Sequence, residues 1–254
     1  MIQPNKHTGI TCMLLFYTES MINGIQIEIC IGNVEDAVKA SKYPIDRIEL
    51  NCALELGGLS PGIETLKYLK EHIKTPICVM CRPRGGDFCY NETEYEVMYK
   101  EAEEMLENGA DGIVFGYLKE DRTIDEAQTK KMVELIHSYG REAVFHKAFD
   151  ETEDLEDSVQ RLIDLKIDRI LTSGKAPSAK ILEGCEVLRP LQEKYGDKIQ
   201  FLPGGGVKSS NASDVLKISG CRQIHMTAKR QNPGGYFELD ERELEDILRN
   251  IEAM

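Results

Sequence analysis

With 254 residues, 41% of them hydrophobic, the chain is long enough to bury a substantial core, either as one α/β barrel or as two smaller domains. Its net charge of −13 argues against nucleic acid or an anionic membrane as a general partner, and no apolar run reaches the ~18 residues that a transmembrane helix needs. Eight cysteines, several inside apolar runs of a chain too large to need staples, read as reduced thiols of a cytoplasmic protein.

Residues 1–24 read as an N-terminal extension. Its apolar run, residues 13–17, follows only Lys6 and precedes no small-residue cleavage pattern, which argues against a secretory signal. Residues 26–30 read as a strand and 34–42 as a helix capped by Asn33. A second strand spans 46–51, and after Gly57-Gly58 a helix starts near Pro61 and runs to His72. The apolar run 77–81 has the length of a buried strand and enters Arg82-Pro83-Arg84-Gly85-Gly86-Asp87-Phe88, a loop of charges and glycines better suited to holding an anion than to packing. Residues 92–108 form an acidic helix, 111–116 a strand, 125–139 a helix and 143–146 a strand. A helix over 154–166, a strand over 168–172 and a helix over 179–195 follow, the last with a kink expected at Pro190. A strand over 199–202 enters Pro203-Gly204-Gly205-Gly206, and a helix over 211–218, a strand over 222–227 and a helix over 241–252 complete the chain.

Eight strands alternate with eight helices at the spacing of a parallel β/α repeat, so the fold class is α/β, a single (β/α)8 TIM-like barrel over residues 25–254. A doubly wound sheet alternates in the same way, but its Gly-rich fingerprint is missing after the first strand, where Cys30-Ile31-Gly32-Asn33 stands. Cys78 and Cys81 make a C-x-x-C pair, yet positions three apart on a strand face opposite ways, so the pair reads as packing.

In such barrels the loops after the strands build the working face. The residues expected there are Glu28 from strand one; Arg47, Glu49 and Asn51, on one face of strand two by period two; and Arg82, Arg84 and Asp87 after strand three. His146 with Asp150, Thr172 with Ser173, Gly204-Gly205-Gly206, and His225 complete the set. Glu28 or Glu49 reads equally as a structural ion pair with an arginine inside the barrel, and His225, without a close sequence partner, as a core histidine. His146 with Asp150 four positions on is a candidate proton-transfer pair, the carboxylate orienting the ring. The triple glycine before a helix is a candidate anion site.

Arg47-Ile48-Glu49-Leu50, Gly57-Gly58-Leu59-Ser60-Pro61, the Arg82–Tyr90 stretch, Ala110-Asp111-Gly112, Phe145-His146-Lys147-Ala148-Phe149-Asp150, Leu171-Thr172-Ser173-Gly174 and Pro203-Gly204-Gly205-Gly206-Val207 resemble, in order, motifs of the CutC copper homeostasis proteins, from about residue 27 to 228. The resemblance implies a TIM-like barrel, a cytoplasmic location, a homo-oligomer and a link to copper tolerance. It also implies a Cu(I) site with one cysteine ending strand one and another ending strand two, soft ligands for a soft ion. Cys30 stands at the first position, whereas Asn51 stands at the second with Cys52 one place later. Lys147 replaces the usual arginine, and Lys175 follows Thr172-Ser173-Gly174.

Two functions follow as expectations. One is copper homeostasis with Cu(I) on Cys30 and Cys52. The other is an enzyme acting on a small phosphorylated or carboxylated molecule, with His146, Asp150, Glu28 and Glu49 as the catalytic group. There Arg82, Arg84, Asp87, Thr172, Ser173, Gly204, Gly205, Gly206 and His225 would bind the substrate.

Overall fold

The structure, a computed structural model, describes residues 21–254; Cys12, the 13–17 run and the extension as far as residue 20 lie outside the described residues. In chain order the elements are β1 (Gln26–Ile31), α1 (Val34–Ala40), β2 (Arg47–Leu50), α2 (Ile63–His72), β3 (Ile77–Met80), α3 (Glu92–Glu107), β4 (Gly112–Phe115) and α4 (Glu126–Ser138). They continue with β5 (Glu142–Phe145), α5 (Leu155–Asp164), β6 (Arg169–Thr172), α6 (Ile181–Tyr195), β7 (Gln200–Pro203), α7 (Ala212–Ser219), β8 (Gln223–Met226), β9 (Lys229–Gln231), β10 (Phe237–Leu239) and α8 (Glu241–Glu252). The first eight strands form one parallel sheet in the order β7-β6-β5-β4-β3-β2-β1-β8, the (β/α)8 barrel that the alternation predicts.

Helix starts follow from local chemistry. Asn33 accepts from the Asp36 N–H, Asn91 and Glu94 form a reciprocal capping box, and Asp154 and Asp240 cap α5 and α8. Helix α8 buries Leu244, Ile247, Leu248 and Ile251, spaced i, i+3, i+4 and i+7. Each such burial stabilises by about 2 kcal/mol. Pro190, where a kink was expected, lies inside helix α6.

Alternation along the strands sorts side chains between two cores. Ile27, Ile29, Ile31, Ile48, Leu50, Ile77 and Val79 pack outward against the helices, whereas Cys78, Met80, Val114 and Val144 form a small separate cluster. Cys81 goes with the outer core, its thiol donating to the Met98 carbonyl at 3.2 Å, so the C-x-x-C pair is indeed split between the two cores.

The inner face also carries a polar belt. Glu28 pairs with Arg47, a second Arg47 nitrogen donates to Gln223 at 3.3 Å, Gln223 donates to Gln200 at 2.6 Å, and Arg169 donates to Gln200 at 3.2 Å and to both Glu142 oxygens at 2.9 and 3.0 Å. Arg47 and Arg169 are each only 1% exposed, so nearly every charge in the belt must find its partner within it.

The structure departs from a fully closed barrel at one joint. β7 and β8 lie side by side at the two ends of the sheet order without a backbone ladder, and the Gln223–Gln200 side-chain bond spans the gap. A second departure is the antiparallel hairpin β9–β10 between β8 and α8, which short polar runs such as Lys229-Arg230-Gln231 do not announce.

Candidate functional site

The strand register assembles the site. Cys30 lies opposite Glu49 across β1 and β2, while Glu28 lies opposite Arg47 on one side and His225 on the other. All five residues are buried. One ligand atom from each of Cys30, Glu49 and His225 lies within 4.8 Å of the others, at the wall of a cavity of about 620 Å³ in the barrel mouth. Arg82, Phe88, His146, Lys147, Gly205 and Gly206 line the same cavity.

Electrostatics divides these groups. Burial alone would raise the Glu28 carboxyl, but Arg47 and then His225 outweigh it and hold Glu28 well below the usual carboxylate range. Burial, with Glu28 adding to it, pushes Glu49 up despite His225. Burial tends to lower His225, and Glu49 and Glu28 together overcome it and raise the imidazole. The Cys30 thiol is pushed well above its ordinary value by burial first, then by Glu49 and Glu28. His225 Nδ1 is 2.6 Å from a Glu28 oxygen, an arrangement that fixes ring orientation and leaves the other nitrogen for a ligand.

Asn51 continues the inward face of β2. Its side-chain amide donates to Glu49 Oε1 at 2.8 Å and to Cys30 Sγ at 3.4 Å. Cys52 has turned away: its thiol donates to the Ser60 carbonyl at 3.1 Å, and it belongs neither to the cavity wall nor to the cluster around Cys30. The expected Cys30–Cys52 pairing therefore gives way to Cys30 with Glu49 and His225. One residue of offset at a strand end is enough to reverse the side chain.

The proton-transfer pair is also not assembled. Asp150 accepts from Thr172 Oγ1 at 2.6 Å, from the Ser173 N–H and Oγ at 2.9 Å each, and from the Lys175 N–H at 3.2 Å, fastening the loop after β6 to the turn after β5. Thr172 and Ser173 are thereby consumed in structure rather than offered to a substrate. His146 Nδ1 accepts from the Ala148 N–H at 3.1 Å, and the ring packs so closely that a Cβ on Gly116 would lie 2.6 Å from it.

His146 is pushed down from 6.5 to about 3 by burial, then by Arg82 and Lys147. The unfolded chain protonates this histidine below its ordinary value while the native state stays neutral until near the lowered one, so folding stability falls as pH drops through that window. Between pH 7 and pH 5 this residue should cost about 2 kcal/mol. Urea unfolding at both pH values should show that loss in the wild type, and a correspondingly smaller one in His146→Gln. An identical loss in both proteins contradicts the assignment.

Arg82 donates to the carbonyls of Leu56, Gly58 and Gly86 at 3.1, 3.2 and 2.9 Å, with its guanidinium 5.0 Å from the centre of the Phe88 ring. Arg84 and Asp87 lie outside the cavity wall. Arg84 bonds Glu94 at 2.6 Å and Asp87 at 3.3 Å, so this pair stiffens the loop and does not reach a ligand in the mouth. Gly205 and Gly206, at φ +92° and +98°, border the cavity, while a Cβ on Gly204 would lie 2.8 Å from Leu171 and 2.9 Å from His225. Sequence reading passes over Met80 and Leu171, which strand alternation could have placed inward, and over Lys229, which reaches the rim on the unforeseen hairpin.

Fold and site together define a barrel protein with a buried thiol, imidazole and carboxylate gathered at one end of an enclosed mouth. The sequence pattern of the CutC family matches residues 25–230, and the chain belongs to that family. A Treponema denticola protein described as family protein CutC is 41% identical over 214 residues, 84% of this chain and 85% of its own. The human copper homeostasis protein cutC homolog is 37% identical over 213 residues, 84% of this chain and 77% of its own. A crystal structure from Streptococcus agalactiae, described as a CutC copper homeostasis protein, superposes with a TM-score of 0.74 at 32% identity, covering 80% of this chain and 98% of that one.

Proposed function

We propose that this chain serves copper homeostasis by binding Cu(I), with Cys30 as the anchoring ligand, His225 as the second and Glu49 as a weak third. The observation that carries this reading is the approach of the three ligand atoms to within 4.8 Å. Thiolate and imidazole are donors that Cu(I) accepts, whereas a carboxylate is a harder and poorer one. With Nδ1 of His225 engaged by Glu28, Nε2 is the nitrogen for the metal. Glu49 Oε2 is buried with no hydrogen-bond partner, as suits an atom kept for a cation. The human relative's description as a copper homeostasis protein supports the biological setting. We place that setting in the cytoplasm, in a homo-oligomer. The seven free cysteines among the described residues suit a reducing compartment, and no helix among them is long and apolar enough to cross a membrane.

The acid–base reading of the mouth loses its main support because His146 and Asp150 are each engaged elsewhere. Anaerobic Cu(I) titration against a chromophoric chelator tests the copper site. Cys30→Ser should weaken binding by about 100-fold, while Cys52→Ser should match the wild type. Equal affinity in wild type and Cys30→Ser sinks the proposal, and loss in Cys52→Ser restores the two-cysteine site instead.

A further inference from the structure

The Cys30, Glu49 and His225 group occupies one wall of the mouth and leaves most of the cavity without a role. About 620 Å³ is the volume of a small-molecule pocket, far more than one ion fills. Its walls include Phe88 and Leu171, apolar surfaces that an ion does not use.

The polar groups on the remaining walls are mostly cationic or hydrogen-bond donors. Arg82 is buried, bonds only neutral carbonyls through its terminal nitrogens, and forms no ion pair among the described residues. A buried guanidinium without a counter-charge is costly. Lys147 also forms no ion pair or hydrogen bond among the described residues, and its Nζ would lie 3.3 Å from a Cβ on Gly205, placing the ammonium beside the left-handed loop after β7. His146 supplies the third group. Its Nδ1 accepts from a backbone N–H, so in the neutral ring the proton sits on Nε2, and Nε2 is buried with no partner. His146 is 3% exposed and lines the cavity. The Arg82 Nε is likewise buried and without a hydrogen-bond partner. Each orphaned buried donor costs about 1–3 kcal/mol if left unmet, and both residues line the one cavity. The acidic members of the rim are already engaged: Asp240 caps α8, and Glu243 accepts from the N–H and Oγ of Ser209 at 2.7 and 2.9 Å.

We propose that the mouth binds a small organic oxyanion, a carboxylate or phosphomonoester, whose charged end is held by Arg82, Lys147 and the His146 Nε2–H, and whose carbon frame lies against Phe88, Met80 and Leu171. Arg82 meets its missing counter-charge in this ligand, and the apolar walls select an organic molecule over an inorganic ion. The site stands on groups outside the Cys30 cluster and holds whether or not copper binds.

Calorimetric titration of the full chain in the presence of a copper chelator tests it with three probes: glycerol 3-phosphate, malate and inorganic phosphate. One of the two organic probes should bind with a Kd below about 1 mM, and Lys147→Ala, a change at a half-buried position, should weaken it about tenfold or more. Lys147→Arg should restore most of the affinity, and the His146 Nε2–H proton resonance should shift on saturation in the unmutated protein. Cys30→Ser should bind the organic probe as the wild type does, which separates this site from the copper site. Absence of binding by both organic probes up to about 10 mM, unchanged affinity in Lys147→Ala, or inorganic phosphate binding as tightly as either organic probe overturns the proposal. Weakening in Cys30→Ser does so too, because it moves the anion onto the metal cluster.

Discussion

Replacing Asn51 with cysteine is expected to tighten Cu(I) binding by about 100-fold, equivalent to ~2.7 kcal/mol. Asn51 follows β2 on the face shared by Arg47 and Glu49, and its amide nitrogen is 3.4 Å from Cys30 Sγ. A thiol on the same Cβ would stand beside the existing one and give a soft cation two soft ligands in place of one. The exchange has a cost. Asn51 donates to Glu49 Oε1 at 2.8 Å, and losing that donor from a buried carboxyl should destabilise the fold by about 1–3 kcal/mol. The gain should therefore be read as a dissociation constant, by chelator competition under argon, and not as a melting temperature. Unchanged affinity in Asn51→Cys would falsify the placement of the copper site at Cys30.

Arg47→Met should lower folding stability by about 3–5 kcal/mol, since it leaves the Glu28 carboxylate buried with His225 as its remaining partner. Exposed pairs such as Lys67–Glu64 contribute about 0–1 kcal/mol by comparison, so burial decides the difference. Removing both charges tests the cause. The double variant Glu28→Gln, Arg47→Met should recover most of the loss, because well-packed neutral replacements for a buried ion pair are often tolerated. Urea unfolding of both singles and the double completes the cycle. Simple additivity of the two single effects would show that packing, and not the unpaired charge, sets the loss. Because Glu28 also holds the His225 ring at 2.6 Å, Glu28→Gln should loosen Cu(I) as well.

Much of this arrangement is legible in the sequence. Period-two alternation put Arg47, Glu49 and Asn51 on one face, and all three are buried inside the barrel. The glycines after β7 and the arginines after β3 were correctly assigned to the carboxyl end of the strands. What strand periodicity cannot supply is the partner of each polar group. Asp150 looked like an orienting carboxylate for His146 because the two are four residues apart, yet it faces Thr172 and Ser173 across the next loop. Arg84 looked like an anion clamp, yet Glu94 at the start of α3 takes it. His225 had no partner nearby in sequence and proved to meet Glu28 from the far end of the chain, a contact that exists only because the last strand returns to the first. Cys52 was misplaced for a different reason: its pairing with Cys30 came from the resemblance, whereas Asn51 holds the inward position and Cys52, one residue on, faces the other way.

The joint between β7 and β8, held by Gln223 and Gln200 in place of a backbone ladder, has a kinetic meaning. Every other stave is laddered to both neighbours, so local opening should cost least where a side-chain amide bond stands in for the ladder. That gap opens beside His225, and through β1 beside a thiol only 7% exposed. A cation held there, as proposed above, should therefore exchange more slowly in a variant whose β7–β8 joint is tightened.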